Sequence, residues 1–148
     1  MRSGKKVLKG VFLGLVYLFV FVNVMFLNVV LHELGHYAAA QSYGLEPKIE
    51  FNFENLKGMS FGLKSISLAT TSFNDNGNEN ELKAIVLMGV FMNLILGVCF
   101  SMVFVFFKGK EYIAEIGLIG TVVSLGSLIM NLLPIQGVDG SFIFGTLF

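Results

Sequence analysis

Long uncharged apolar runs dominate the pattern of hydrophobic and polar positions along the chain. Three of them, at residues 11–31, 84–107 and 116–138, contain no Asp, Glu, Lys or Arg. A helix of roughly 20 residues crosses the hydrocarbon core of a bilayer, so each run is long enough to span it. The pattern predicts spanning helices at about residues 11–43, 81–107 and 112–133.

Local signals indicate where two of these helices end. Gly44 follows the first helix as a candidate C′ residue, and Pro134 follows the third. Residues 1–10 form a short basic leader. A cleaved signal peptide is a poor interpretation, because the apolar run is longer than a signal h-region and cleavage after it would discard both histidines.

The segment at about residues 45–70 has a different period. Apolar and polar residues alternate over 49–54, and less strictly over 60–68, with Lys57 and Gly58 between them as a turn. We expect a small β-hairpin or short sheet at the membrane surface, between the first two helices. The polar stretch 74–80 is interpreted as a solvated turn, because it lacks the length and closing glutamate of a calcium loop.

Composition agrees with one membrane-embedded domain over residues 1–148. Hydrophobic residues make up 55% of the chain, so three buried helices of a soluble protein would have too little polar surface to cover them. The formal net charge of zero gives no case for nucleic-acid binding. Cys99, the single cysteine, lies inside the second apolar run and is interpreted as a packing residue.

Candidate chemistry is concentrated where the first apolar run ends, in the sequence His32-Glu33-Leu34-Gly35-His36. Four-residue spacing on a helix places both imidazoles on one face, where they can ligate one Zn²⁺. Glu33 can then act as general base towards water without being a ligand. A chance pair of histidines is the plain alternative, but polar groups beside an apolar span are costly unless they function.

A catalytic zinc needs a third protein ligand, and the chain has no third histidine. A carboxylate is the remaining ligand type. Most of the acidic residues lie in the polar middle region, and Glu111 and Glu115 flank the start of the third helix. Elimination favours Asp139, which follows a long uncharged run and a helix-breaking proline and is next to Gly140.

These motifs resemble the site-2 protease family, the M50 intramembrane zinc metalloproteases. The sequence NLLPIQGVDG at residues 131–140 matches the family pattern NxxPxxxxDG, downstream of the HExxH motif. Gly89 and Asn93 are similar to a weaker Gly-xxx-Asn feature. The resemblance implies a three-helix core, with zinc held by His32, His36 and Asp139 and catalysis by Glu33. It implies for Asn131 a role in positioning the substrate backbone or an oxyanion, and a helix-end cap is the alternative for that residue.

The leading hypothesis is therefore a zinc metalloendopeptidase that cuts transmembrane segments of substrate proteins, in regulated intramembrane proteolysis. A membrane-anchored protease for soluble peptides and a catalytically idle membrane scaffold that retains zinc are the alternatives. We expect a multi-pass protein of the cell membrane, with the lipid bilayer and a transmembrane substrate as partners. The short chain leaves open a minimal protease, a truncated piece, a homo-oligomer, or a subunit that needs a partner.

The two lines of evidence on orientation disagree. Basic residues near the N-terminus and at Lys108 and Lys110 favour a cytoplasmic N-terminus, but the middle region is also basic. That orientation would turn His36 towards the outside, whereas the resemblance implies a site that opens towards the cytosol.

Overall fold

The computed structural model describes residues 2–51, 69–74, 78–134 and 139–144. In chain order the elements are α1 (Arg2–Ser42), β1 (Lys48–Phe51), β2 (Ala69–Ser72), α2 (Glu79–Phe106), α3 (Glu111–Leu132) and α4 (Asp139–Phe144). Three segments are long and apolar enough to cross a membrane, namely Leu8–Ser42, Glu79–Phe106 and Glu111–Leu132. The prediction of a mostly helical protein with three candidate spans and a small sheet is thus confirmed.

The helix ends follow local sequence closely, with one difference. Gly44 has a φ of 76°, and the amides of Gly44 and Leu45 donate to the carbonyls of Gln41 and Ala40, which is the Schellman pattern of a glycine C′. Helix α1 begins at Arg2 rather than near Val11. The basic leader therefore continues the helix, since Lys and Arg are favourable helix residues that a purely apolar criterion overlooks.

The small sheet consists of β1 and β2 in antiparallel register, with Lys48 opposite Ser72 and Phe51 opposite Ala69. Strand β1 covers part of the alternating stretch predicted at 49–54. The second predicted stretch, 60–68, and the Lys57-Gly58 turn lie outside the described residues.

Helix α2 is the central element, packed against both α1 and α3. Small residues allow these close approaches. A Cβ on Gly35 of α1 would lie 2.7 Å from the Met88 carbonyl oxygen, and one on Gly117 of α3 would lie 2.5 Å from the Phe104 nitrogen. Close backbone contact through small residues is the usual way in which helices associate in lipid.

Burial divides the helices into an apolar outside and a partly polar inside. Large hydrophobic side chains are exposed along all three spans, as expected for surfaces that face lipid. The buried polar residues within the spans are Asn28, His32, Glu33, His36, Asn93 and Ser124. Because polar groups are costly at membrane depth, this interior set identifies where a functional site should be sought.

Candidate metal centre

His32 and His36 lie one turn apart near the C-terminal end of α1. Their side chains are buried, with 8% and 7% of the residue surface exposed, and their rings meet edge to face at a centroid distance of 4.6 Å. The two Nε2 atoms are 3.1 Å apart. The four-residue spacing therefore directs both nitrogens to one point, as a metal site requires.

Asp139 joins the pair from the opposite end of the chain. Its Oδ2 atom lies 3.0 Å from Nε2 of His32 and 3.3 Å from Nε2 of His36. This buried oxygen has no other hydrogen-bond partner among the described residues. Asp139 is the first residue of α4, and a Cβ on the adjacent Gly140 would overlap the carbonyl oxygen of Leu133. The glycine thus allows α4 to approach the end of α3 closely enough to present the carboxylate.

The three donor atoms fit one zinc ion. Ligands arranged tetrahedrally at about 2.0–2.1 Å from zinc lie roughly 3.3–3.4 Å from one another. The observed separations are 3.0, 3.1 and 3.3 Å. These donor atoms are also the only described group of three or more His, Cys, Asp or Glu residues that could hold a metal. Two imidazoles and one carboxylate leave a fourth coordination position open, the arrangement typical of catalytic rather than structural zinc.

Electrostatics favour the ligating form of Asp139, which lies beyond the third span. Burial opposes ionisation, but the hydrogen bonds and charges of His32 and His36 outweigh it and lower the pKa of Asp139 to about 2. The carboxylate is therefore ionised at neutral pH, the state in which it can bind a cation.

Glu33 lies beside the donor cluster without belonging to it. Only 8% of its surface is exposed. Its Oε2 accepts a hydrogen bond of 2.7 Å from Thr71 Oγ1 on β2. Glu33 is thus a buried carboxylate that follows His32 in the chain and is not one of the three donors, so it is a candidate general base.

The outer nitrogens of the two imidazoles have partners on α2 and α3. His36 Nδ1 is 2.9 Å from the carbonyl oxygen of Ile85, which can only accept. This contact places the proton on Nδ1 and frees Nε2 for metal. His32 Nδ1 is 3.2 Å from the Asn93 amide and 3.4 Å from the Asn131 amide.

The orientation of the Asn93 amide follows from its surroundings. Its Oδ1 is buried and has no partner among the described residues, whereas its Nδ2 faces His32 Nδ1. If Nε2 of His32 binds metal, Nδ1 carries the proton and needs an acceptor. The amide nitrogen and oxygen are nearly isosteric, and exchanging them sets the Asn93 oxygen as acceptor against the N–H of His32. We therefore assign Asn93 as the acceptor for His32.

Gly89 provides the space for both rings. A Cβ at this position would overlap the His36 ring and lie 2.9 Å from Cε1 of His32. The Gly89–Asn93 pair, similar to a Gly-xxx-Asn feature in the sequence, thus has two local roles, since one residue makes room for the imidazoles and the other contacts one of them.

The structure shows hydrogen-bond partners of the site residues that the sequence did not predict. The structure brings His32, His36 and Asp139 together, and it sets the Asn131 amide, in the last turn of α3, 3.4 Å from His32 Nδ1. It adds two partners that sequence reasoning missed, the carbonyl of Ile85 and the hydroxyl of Thr71. Neither has a sequence signal of its own, because any backbone carbonyl or threonine could serve.

Fold and site together define a class of protein, namely a membrane protein with a His-His-Asp cluster, buried or half-buried, that could bind a metal. The model of peptidase family M50 matches residues 20–121, and the chain belongs to this family, whose members are zinc metalloproteases. The resemblance seen in the sequence is thereby confirmed. The match includes both histidines and Glu33 but ends before Asn131 and Asp139. Comparisons with curated proteins and with solved structures gave no match.

Proposed function

We propose that the chain is an intramembrane zinc endopeptidase that hydrolyses peptide bonds in transmembrane segments of other proteins. The observation that carries this proposal is the cluster of three donor atoms, 3.0–3.3 Å apart, assembled against spanning helices with a buried carboxylate beside it. A soluble-peptide protease would not need its donors among helices whose outer faces are apolar. A purely structural metal site would not need Glu33.

In this proposal some residues bind the metal and others take part in the reaction. His32, His36 and Asp139 would hold the metal, which when bound supplies a Lewis acid for water and the scissile carbonyl. Glu33 takes the proton from the attacking water and returns it to the departing amine, so the peptide bond breaks without net change in the carboxylate. Asn131 is a candidate donor to the substrate backbone or to the oxyanion.

The sheet offers a way to hold an unwound substrate. A peptide bond inside a membrane helix is shielded by its own hydrogen bonds, so the substrate must unwind locally before it is cut. A freed strand can pair with a sheet edge. Support comes from the position of β2, which contacts α1 through the hydrogen bond from Thr71 to Glu33. Proline introduced singly at residues 48–51 should lower turnover where the lost amide faced the substrate, and unchanged turnover at all four positions would count against this role.

The decisive experiment compares wild type with Glu33→Gln in proteoliposomes. We expect both proteins to contain one zinc per chain, and the variant to lose at least about 100-fold in cleavage of a transmembrane substrate, because the amide cannot accept the proton. Zinc analysis and gel-based cleavage assays measure the two quantities.

Three other outcomes would contradict the proposal. Full activity with bound zinc in Glu33→Gln rejects the mechanism. A wild type that binds zinc but cuts no transmembrane substrate supports the scaffold alternative. Cleavage of soluble peptides alone supports the anchored protease.

Running the assay with the protein in cell-derived membranes tests the proposed cell-membrane location. Measuring its oligomeric state tests whether the protein requires a second copy or a partner subunit.

A further inference from the structure

The carboxylate of Glu33 is held by a residue that lies far away along the chain. Thr71 Oγ1 is 2.7 Å from Glu33 Oε2 and 3.1 Å from the Glu33 carbonyl oxygen. Its single proton goes to the carboxylate oxygen, which is the nearer of the two acceptors. Among the described residues, no other side chain hydrogen bonds to this carboxylate.

We propose that Thr71 is the positioning residue for the general base, and this inference rests on the proposed protease function. A glutamate has three side-chain torsions, and a base must keep one oxygen within hydrogen-bond reach of the attacking water. By binding Oε2, the Thr71 hydroxyl keeps Oε1 free for that task. Both hydrogen bonds that Thr71 forms with its hydroxyl among the described residues go to Glu33, and in this proposal it does not contact the substrate.

The strand gives Thr71 a fixed direction. Side chains alternate across a strand, so Ala69 and Thr71 share one face and Thr70 and Ser72 share the other. Ala69 is 2% exposed and Thr71 half-buried, whereas Thr70 and Ser72 are exposed. Threonine is β-branched and stiff at χ1, so once the strand is formed the hydroxyl has little freedom to leave Glu33.

Pairing with β1 secures the strand from its other side. Thr71 is opposite Ile49 in the antiparallel register, and Ile49 is also half-buried. The hydroxyl is therefore carried by a paired backbone rather than by a loop. This arrangement suits a group that has to hold another side chain in place.

Substitution at two adjacent threonines gives a matched test. Thr71→Val keeps the shape and removes the hydroxyl, Thr71→Ser keeps the hydroxyl, and Thr70→Val is the control on the exposed face. With zinc-loaded protein and a transmembrane substrate, we expect Thr71→Val to lower kcat roughly 10- to 100-fold, as for loss of a hydrogen bond to a charged group. KM and zinc content should stay unchanged, Thr71→Ser should recover most of kcat, and Thr70→Val should behave like wild type.

Three kinetic results would overturn the inference. Wild-type kcat in Thr71→Val means that the hydroxyl is dispensable. An equal loss in Thr71→Ser means that packing, rather than the hydroxyl, is responsible. A change confined to KM assigns the residue to substrate docking, since an effect on orientation of the base belongs in kcat.

A measurement without catalysis tests the contact itself. In metal-free protein, Thr71→Val should lower Tm in the wild-type background and change it less in the Glu33→Ala background, because coupled residues are non-additive. Equal shifts in both backgrounds would mean that the two side chains do not interact, even if the enzyme cleaves normally. A wild type that binds zinc and cuts nothing overturns the proposed function, and with it this role, whatever the Tm cycle reports.

Discussion

At the scale of single residues, the site depends on which nitrogen of each imidazole carries the proton. The carbonyl of Ile85 decides this for His36, since a carbonyl accepts only. For His32 the tautomer depends on a side-chain amide, that of Asn93, which lies 3.2 Å from Nδ1 and has a buried oxygen without a partner among the described residues. Substitution of a residue that orients a metal ligand typically lowers metal affinity, although the residue does not contact the metal.

Replacing Asn93 should therefore weaken zinc binding. We expect Asn93→Ala to raise the Kd for zinc by about 10- to 100-fold, because His32 loses the acceptor that holds its ring and tautomer. Asn93→Asp keeps an acceptor at the same place and should recover much of the affinity. Titration against a chelator of known affinity gives the measurement.

Asn23→Ala provides the control for that experiment. Asn23 is an exposed residue of α1 whose amide donates a hydrogen bond to the carbonyl of Phe19, one turn away. Its loss should leave zinc affinity unchanged. If Asn93→Ala binds zinc as tightly as wild type, the acceptor role assigned to Asn93 is wrong.

At the scale of elements, the crossing of α1 and α2 determines whether the imidazoles have room. Gly35 and Gly89 lie at this crossing, one against the Met88 carbonyl and the other against the two rings. The helices thus approach closely where the ligands sit. A side chain at either position would have to displace the backbone of Met88 or the ring of a histidine.

A single methyl group at Gly89 should abolish the site. In Gly89→Ala the new Cβ overlaps the His36 ring, so we expect zinc content well below one per chain and a lower Tm in the presence of zinc. Zinc analysis and thermal unfolding with and without added zinc check this.

Gly126→Ala on α3 is the matched comparison. A Cβ there meets nothing within 4 Å, so the variant should bind zinc normally, and alanine should stabilise the helix by up to about 1 kcal/mol. Full zinc binding by Gly89→Ala would mean that the rings can move aside.

At the scale of the whole molecule, the three candidate spans determine on which side of the membrane each helix would begin and end. Helix α3, with 22 residues, matches the bilayer core at about 33 Å. Helix α1, with 41 residues, is about 60 Å long and therefore longer than the core. Tyr17 in the first half of α1 hydrogen bonds to Glu115 near the start of α3, whereas His36 near the other end of α1 contacts Ile85 near the start of α2.

Accessibility to a membrane-impermeant thiol reagent should follow this arrangement. In a Cys99→Ala background, the variants Glu46→Cys and Gly109→Cys should be labelled from opposite sides of sealed vesicles. Residue 46 follows α1 and residue 109 follows α2, so one spanning helix, α2, lies between them. Labelling of both from the same side would contradict the three-span topology. In oriented cell-derived vesicles, the side that labels Glu46→Cys also decides between the two conflicting expectations for orientation.

Much of the fold was predictable because its signals are local. A span is recognised by the length of an uncharged run, and a helix end by a glycine such as Gly44 that tolerates positive φ. The histidine pair was predictable for the same reason, since helical periodicity alone puts His32 and His36 on one face. Elimination favoured Asp139 as the third ligand, and the family resemblance implied the same residue. Neither argument gave a distance between its carboxylate and the two imidazoles.

The sequence by itself therefore determined a helical protein with three candidate membrane spans, with two histidines on one helix face and a glutamate next to the first of them. Only the tertiary structure decided which groups meet: the Asp139 carboxylate within 3.3 Å of both imidazoles, the Asn93 amide at His32, and the Thr71 hydroxyl at Glu33. The physical reason is that these contacts join elements far apart along the chain. They depend on how closely helices and strand pack, and no local pattern of residues records that.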